Sequence, residues 1–380
     1  MNYHVAKNGC DGAPGTEQQP FLTINRAAQV MSAGDTVIVH EGIYREWVRP
    51  VNGGINDILR ITYRAAENEH VEIRGSEIIR GWEKLESGIW KTVIDNRIFG
   101  EFNPFAEQVD GDWMILPEDR KPHLADGYIG DISLFEAYTL DDCIKAEKRE
   151  FGYQIPGKKP EHVIPSDHSV YQWYAQVNTD ETVLYCNFQN LDPNVVTVEV
   201  NVRKSCFYPD KRGINYITLA GFEISRAATP FSPPTADQIG IVGAHWSRGW
   251  IIENNNIHDA KCSAVSLGRD GVDGHNLYSR FGRKPGYQYQ METVFLGLQS
   301  GWTKEKVGSH IVRNNHIHHC GQNAIVGHMG CAFSAITHNE IDHIGVKHEF
   351  FGWEIAGIKF HAAVDSLIEN NCIHDCTLGT

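Results

Sequence analysis

The chain has 380 residues, and its 48 Asp and Glu outnumber 34 Lys and Arg, giving a formal net charge of −14. That length suits one large solenoid or two to three ordinary domains, and the negative balance excludes nucleic acid as a partner, because a phosphate backbone is bound by a cationic face. No apolar run approaches a membrane span, and Met1-Asn2-Tyr3-His4 lacks the basic and apolar regions of a signal peptide, so no membrane contact and a cytoplasmic location are expected.

Residues 1–95 read as the cap and first coils of a stacked parallel β-structure. Between Thr23 and Met31, Ile24, Ala27, Ala28 and Met31 fall at i, i+3, i+4 and i+7 behind Thr23 as N-cap, which predicts a short amphipathic helix. A helix there would cover the end of a stack whose unpaired strand edge and apolar interior otherwise meet water. Gly34-Asp35-Thr36 predicts a turn and Val37-Ile38-Val39 the first strand. A further strand is expected over Ile58-Leu59-Arg60-Ile61-Thr62-Tyr63, with Leu59, Ile61 and Tyr63 on one face.

Residues 96–205 change character. The runs Tyr171 to Val177, Thr182 to Phe188 and Val195 to Val202 alternate apolar and polar residues across hairpin-length gaps, predicting an inserted antiparallel β-sandwich.

From 206 to 380 a short phrase recurs: Asn255-Asn256-Ile257-His258, Asn315-His316-Ile317-His318, Asn339-Glu340-Ile341-Asp342 and Asn371-Cys372-Ile373-His374. Asn accepts a left-handed turn conformation and can bond to its copy in the next coil, while the apolar residue two places on points inward and its follower outward. The spacings of 60, 24 and 32 residues fit a solenoid repeat of roughly 20–50, provided that the widest holds one coil with a large loop over Gly268 to Ser309. Gly221-Phe222-Glu223-Ile224 is an earlier copy, its Gly221 matching Asn254 at a left-handed position. The pattern predicts a right-handed parallel β-helix that stops in mid-coil at Thr380, completed by a C-terminal partner chain or by residues beyond this sequence. A homo-oligomer is expected.

Aligned on the repeated Ile, Ser263 and Asn323 share a column with Gly379, and Gly268 matches His328; whatever follows Thr380 would lie beside Ile325 to His328. Lys261, Gln322, Asn323 and His328 on this face either line a groove or satisfy turn backbone. In Trp353-Glu354-Ile355-Ala356-Gly357-Ile358-Lys359-Phe360-His361, parity buries Ile358 and Phe360 and presents Lys359 and His361. Glu354 either returns to the outer face through a turn at Ala356-Gly357 or is a buried carboxylate partnered by Lys359 or a His. An indole, an acid and bases within nine residues suit a sugar site, with Trp353 or Trp113 stacking on a pyranose face. Asp237 and Gln238 close a Pro-rich loop able to present ligand groups. Nine Cys without CxxC spacing read as free thiols, those at 262, 320, 331, 372 and 376 stacked inside the coils, and 19 His read as surface or groove residues. Neither a metal nor a cofactor is therefore expected.

Three functions suit such a stack. A glycosidase needs two carboxyl groups flanking the bond. A polysaccharide lyase needs a Lys or Arg base and usually calcium, for which Asp270, Asp273 and Glu292 are too dispersed. A non-catalytic carbohydrate-binding β-helix is the third.

The opening (Tyr3 to Lys7, Pro20 to Ile24, Gly34 to Thr36, His40 to Gly42), Pro233 to Gln238, His258 to Ala264, Lys284 to Gln290, Cys320 to His328 and Glu354 to Lys359 together resemble glycoside hydrolase family 120 β-xylosidases along essentially the whole chain. The resemblance implies an all-β protein, a right-handed parallel β-helix with an inserted antiparallel β-sandwich and an N-terminal capping helix. It also implies retaining exo-hydrolysis of short xylo-oligosaccharides. The Asp nucleophile and Glu acid/base it implies lie beyond Thr380, while Glu354 matches a family acid at the active site. Trp353 stands where the family has His.

Overall fold

The computed structural model describes residues 1–116, 121–153, 157–269 and 285–377, and its strands form five sheets. Three are parallel throughout. The first runs Asn2–Val5, Thr36–Val39, Ile61–Ala65, Ile217–Ala220, Ile251–Glu253, Ile311–Arg313, Ala335–Thr337 and Leu367–Glu369. The second runs Gly42–Tyr44, Val71–Arg74, Glu223–Ala227, Asn256–Ala260, His316–His318, Glu340–Asp342 and Cys372–His374. The third holds Val242–Gly243, Ser263–Ser266, Asn323–His328 and Ala356–His361. From Ile217 onward the chain visits the three in rotation, one strand on each per pass, while the earlier passes place strands on the first two only.

Register comes from buried columns. Ile73, Ile224, Ile257, Ile317 and Ile341 are successive partners, each 0% exposed. Burial of each contributes about 1.5–3 kcal/mol. Beside them runs an amide ladder: Asn255 Nδ2 donates to Asn315 Oδ1 (3.0 Å), Asn315 Nδ2 to Asn339 Oδ1 (3.0 Å) and Asn339 Nδ2 to Asn371 Oδ1 (2.9 Å). Because Asn255 and Asn315 touch, the step of 60 residues from one to the other is one coil with a large excursion. The left-handed residue is the one before each ladder Asn rather than the Asn itself. Gly221, Asn254, Asn314, His338 and Asn370 have φ of 82°, 57°, 55°, 57° and 55°. They turn the corner; after the last four the following Asn is left with its amide in the stack, and after Gly221 comes Phe222, whose N–H donates to Asn255 Oδ1 (3.0 Å).

The helix Ile24–Val30 forms as its periodicity predicts, with Thr23 Oγ1 accepting from the Arg26 N–H (3.1 Å) and Ile24, Ala27 and Ala28 buried in the main core. The strand expected from Ile58 begins only at Ile61. Asn56 Oδ1 accepts the N–H groups of Ile58 and Leu59 (both 2.9 Å), holding them in a turn with Leu59 exposed.

The remaining two sheets interrupt the stack between Val71–Arg74 and Ile217–Ala220. One is antiparallel: Ile132–Ser133, Gly127–Ile129, Val198–Asn201 and Ser76–Ile79. The other runs Phe135–Glu136, Gln172–Val177, Glu181–Asn187, Trp90–Asp95 and Glu83–Lys84, antiparallel except for its first pair. Ile79, Ile129, Val198 and Val200 of one sheet and Trp90, Trp173 and Leu184 of the other share a buried core. Ser76–Ile79 and Trp90–Asp95 therefore pair here, although residues up to 95 read as coil from sequence.

Three other expectations change. Gly286–Gln299, inside the stretch read as a loop, is a helix; Asp270 and Asp273 lie outside the described residues. Tyr289, Thr293 and Gly297 face inward while Tyr287, Met291, Phe295 and Leu298 are exposed, so no polar and apolar sides mark the helix in the sequence. The neighbour of Asn323–His328 is Ala356–His361, not a segment after Thr380. Cys372 is exposed, because its register partners Glu340 and His316 point outward while Ile373 takes the inner position; all nine Cys are free thiols. Among the described residues, no helix is long and apolar enough to cross a membrane.

The ladder makes a direct prediction. Asn315, 2% exposed, also donates to Ile252 O (2.9 Å) and accepts from the Asn255 N–H (3.0 Å). Asn315→Ala leaves buried groups bare on both neighbouring coils and should destabilise the protein by about 2–4 kcal/mol, whereas Asn314→Gly, at a position Gly adopts freely, should stay within about 0.5 kcal/mol. Urea midpoints compare the two, and equal midpoints would remove the ladder's role.

Candidate functional site

The third sheet positions the site. In the paired strands Asn323–His328 and Ala356–His361, Ile325 and Ile358 match and face the core, while Val326 with Lys359 and His328 with His361 face outward. The sequence clusters around His328 and around Glu354 thus become one face. The chain enters the second strand through a turn at Trp353-Glu354, not at Ala356-Gly357. That turn is clamped: the Trp353 N–H donates to Trp113 O (3.1 Å), the Ile115 N–H to Phe351 O (2.8 Å), and Gln322 Nε2 to Glu354 O (3.2 Å).

The clamp swings the Glu354 side chain back over the outward face, where it is 6% exposed. Its Oε2 lies 2.8 Å from His361 Nε2 and its Oε1 lies 3.9 Å from Lys359 Nζ, so the buried carboxylate has both partners read as alternatives from sequence. Gln290 Nε2, from the helix Gly286–Gln299, sits 3.1 Å from His361 Nδ1. An amide N–H donating to Nδ1 leaves Nε2–H to donate to Glu354, so the imidazole spans the amide and the acid. Lys359 Nζ also donates to Trp353 O (2.9 Å).

His328 is 0% exposed, and its Nδ1 donates to Pro234 O (3.0 Å), which leaves Nε2 as a bare buried acceptor. Burial first, then the nearby Arg269 and His361, push its pKa down to about 3. His328 is therefore neutral at pH 7. Asp237 stands at the exposed end of the Pro233 to Gln238 loop, 3.6 Å from the buried Arg269 guanidinium. The loop is tied down by Thr235 Oγ1 donating to Asp112 Oδ2 (2.6 Å) and by Gln238 Nε2 donating to Ser232 O (3.3 Å). Trp113 packs its ring against Gly286, where a Cβ would come within 3.0 Å of it. Trp353 is half exposed, with Lys158 Nζ 4.5 Å from the centre of its ring.

Of the residues singled out from sequence, Trp113, Asp237, His328, Trp353, Glu354, Lys359 and His361 fall around this face. Gln238, Gln322 and Asn323 are buried and serve the scaffold. Gln322 Oε1 accepts the Ser232 N–H (2.8 Å), and Asn323 Oδ1 accepts the Ala356 N–H (3.2 Å). Lys261 does not join them. Its Nζ, 1% exposed, bonds Asp126 (3.2 Å) and Glu349 (3.1 Å), and Lys347 bridges the same two carboxylates (3.3 and 3.2 Å). Burial opposes its charge, but Asp126 and Glu349 outweigh that and raise its pKa. Sequence missed Gln290, Arg269 and Asp112. Gln290 stood in a stretch read as loop, and the other two have partners only in the folded chain.

Residues 79–200 match the family model for the glycoside hydrolase 120 insertion domain. The chain carries that domain. Over its full length it is 53% identical to XylC, solved in complex with xylose, with a TM-score of 0.97, and it spans 59% of the XylC chain. The likeness to XylC thus extends beyond the insertion to the strands of all three parallel sheets. A structure described as a glycoside hydrolase shares the fold at 12% identity and a TM-score of 0.53, with 98% of this chain and 88% of that one covered. An uncharacterized protein, YwoF, of Bacillus subtilis (strain 168) is 39% identical over 75 residues, which is 20% of this chain and 16% of that protein.

Two measurements separate the roles. Lys261→Met strands two buried carboxylates with Lys347 alone and should destabilise by about 3–5 kcal/mol while leaving sugar affinity unchanged; isothermal titration showing lost affinity in a folded variant would return Lys261 to the groove. His328→Asn keeps a donor for Pro234 O and removes the titrating ring. The folded-state pKa of His328 lies below the ordinary 6.5, so the unfolded chain takes up a proton that the folded chain refuses, and stability falls as pH drops from about 6.5 towards 3. Between pH 7 and 5 the wild type should lose roughly 2 kcal/mol more than His328→Asn. Parallel urea curves at the two pH values would contradict this.

Proposed function

We propose that the chain is the sugar-binding part of a retaining, exo-acting β-xylosidase of glycoside hydrolase family 120, cutting short xylo-oligosaccharides. The observation that carries the reading is Glu354, a buried carboxylate held by His361 and Lys359 on the outer face of the third sheet, in a chain 53% identical to a protein solved with xylose. We also infer that the three parallel sheets wind as a right-handed β-helix, that Ile24–Val30 caps it, and that the strands between Ser76 and Asn201 form an inserted β-sandwich. Strand rotation and the shared core of the two inserted sheets support that division.

In this reading Glu354 accepts hydrogen bonds from the hydroxyls of the reacting sugar. Its position out of water strengthens those bonds, and its two partners keep it from rotating. His328 Nε2, a neutral buried acceptor, suits another hydroxyl. Trp113 or Trp353 supplies the apolar wall for the pyranose face. The nucleophile and acid/base act from residues outside this sequence, so Glu354 orients and stabilises rather than attacks. Gln322 holds the Glu354 backbone and so positions it.

The test is hydrolysis of 4-nitrophenyl β-D-xylopyranoside by the whole protein. Glu354→Gln, which keeps the shape and loses the charge, should lower kcat/KM by about 100-fold, or about 2.7 kcal/mol. A variant that retains more than half of the wild-type value would remove Glu354 from the site.

A further inference from the structure

The outward face of the second sheet carries a repeated pairing of neighbours. On four successive strands an outward residue is followed by one at positive φ: His258 then Asp259 (53°), His318 then His319 (51°), Asp342 then His343 (52°), His374 then Asp375 (49°). Consecutive residues in a strand point to opposite faces, but the left-handed turn brings the second side chain round beside the first. The two members of each pair therefore touch: His258 Nδ1 to Asp259 Oδ2 at 2.9 Å, His318 Nδ1 to His319 Nδ1 at 2.8 Å, His343 Nδ1 to Asp342 Oδ1, and His374 Nδ1 to Asp375 Oδ2 at 2.8 Å. Register then stacks the pairs. The His319 and His343 rings lie 4.8 Å apart and only 4° from parallel, the spacing of adjacent strands.

The outcome is a group of His319, Asp342 and His343, drawn from two successive coils, in which each offers a ligand atom and these atoms all lie within 4.8 Å of one another. Asp342 is nearly buried while the two imidazoles border the cleft between the coils and the insertion, so the carboxylate is fixed and an ion can reach it. A second group, His316, Glu340 and Asp342, shares the same carboxylate but offers one imidazole instead of two. Two nitrogen donors and one oxygen donor suit zinc-class divalent ions and are poor for calcium or magnesium, which take oxygen ligands.

We propose that His319, Asp342 and His343 form a binding site for one zinc-class divalent ion, which clips two adjacent coils on a sheet other than the one bearing Glu354. The ion takes the place of the proton shared between Asp342 and His343 and leaves at least one position for water. The site is independent of the xylosidase reading.

The experiment is calorimetric titration of zinc chloride into untagged protein in metal-free buffer, with the visible bands of cobalt(II) reporting coordination. One equivalent should bind to the wild type. His343→Ala should weaken binding by about 10-fold or more, the double variant His319→Ala with His343→Ala should abolish it, and His316→Ala should change it by less than about 3-fold. Thermal midpoints of the metal-free variants, expected to match the wild type, establish that they fold. Absence of zinc binding, or binding unchanged in the double variant, overturns the proposal and leaves the stacked rings as a packing device. Loss in His316→Ala with retention in His343→Ala also overturns it, placing the ion on the alternative group.

Discussion

Side-chain amides passed from coil to coil along Asn255, Asn315, Asn339 and Asn371 fix where every other residue of the stack must stand. A parallel strand could slide along its neighbour at small cost in backbone hydrogen bonds, but a slip by one residue would turn Ile257, Ile317 and Ile341 out and their polar neighbours in. The amide ladder adds a second lock at the corner, where the preceding left-handed residue redirects the chain. Once register is set there, the third sheet has no freedom left. His328 must lie beside His361, and the turn before Ala356 must deliver Glu354 onto the same face.

The same constraint explains what could be read from the amino acids alone. The Asn-x-Ile phrase announced the stack, its inward column and its long excursion, because each depends on residues a fixed number of places apart. The helix Ile24–Val30 was legible for the same reason. The helix Gly286–Gln299 was not, because its burial follows Tyr289, Thr293 and Gly297 while larger apolar groups face outward. Ser76–Ile79 and Trp90–Asp95 were read as coil because their partners are Val198–Asn201 and Glu181–Asn187, far along the chain.

Within the candidate site, parity turned Lys359 and His361 outward but left Glu354 with the buried pair, and the structure adds the turn at Trp353-Glu354 that brings its carboxylate to both. Lys261, Gln322 and Asn323 lie where the column alignment put them, yet their side chains are consumed by the scaffold. A column predicts position along a wall but not which polar groups the wall keeps for itself. Partners from other segments decide that: Ser232 for Gln322, Asp126 for Lys261.

Asp126 belongs to the inserted sheets, whereas Lys261, Lys347 and Glu349 belong to the coils, and Glu349 Oε1 also accepts the Glu136 N–H at 2.9 Å. Four alternating charges therefore lie in the seam between the two, beside an apolar cluster in which Val109 and Leu124 of the insertion meet Phe231, Phe350 and Ile355 of the coils. An exchange of the insertion for that of a distant relative would transplant an acid without its cations, and an apolar replacement would strand two ammonium groups with one carboxylate. The coils and their passenger have to be inherited as a matched set.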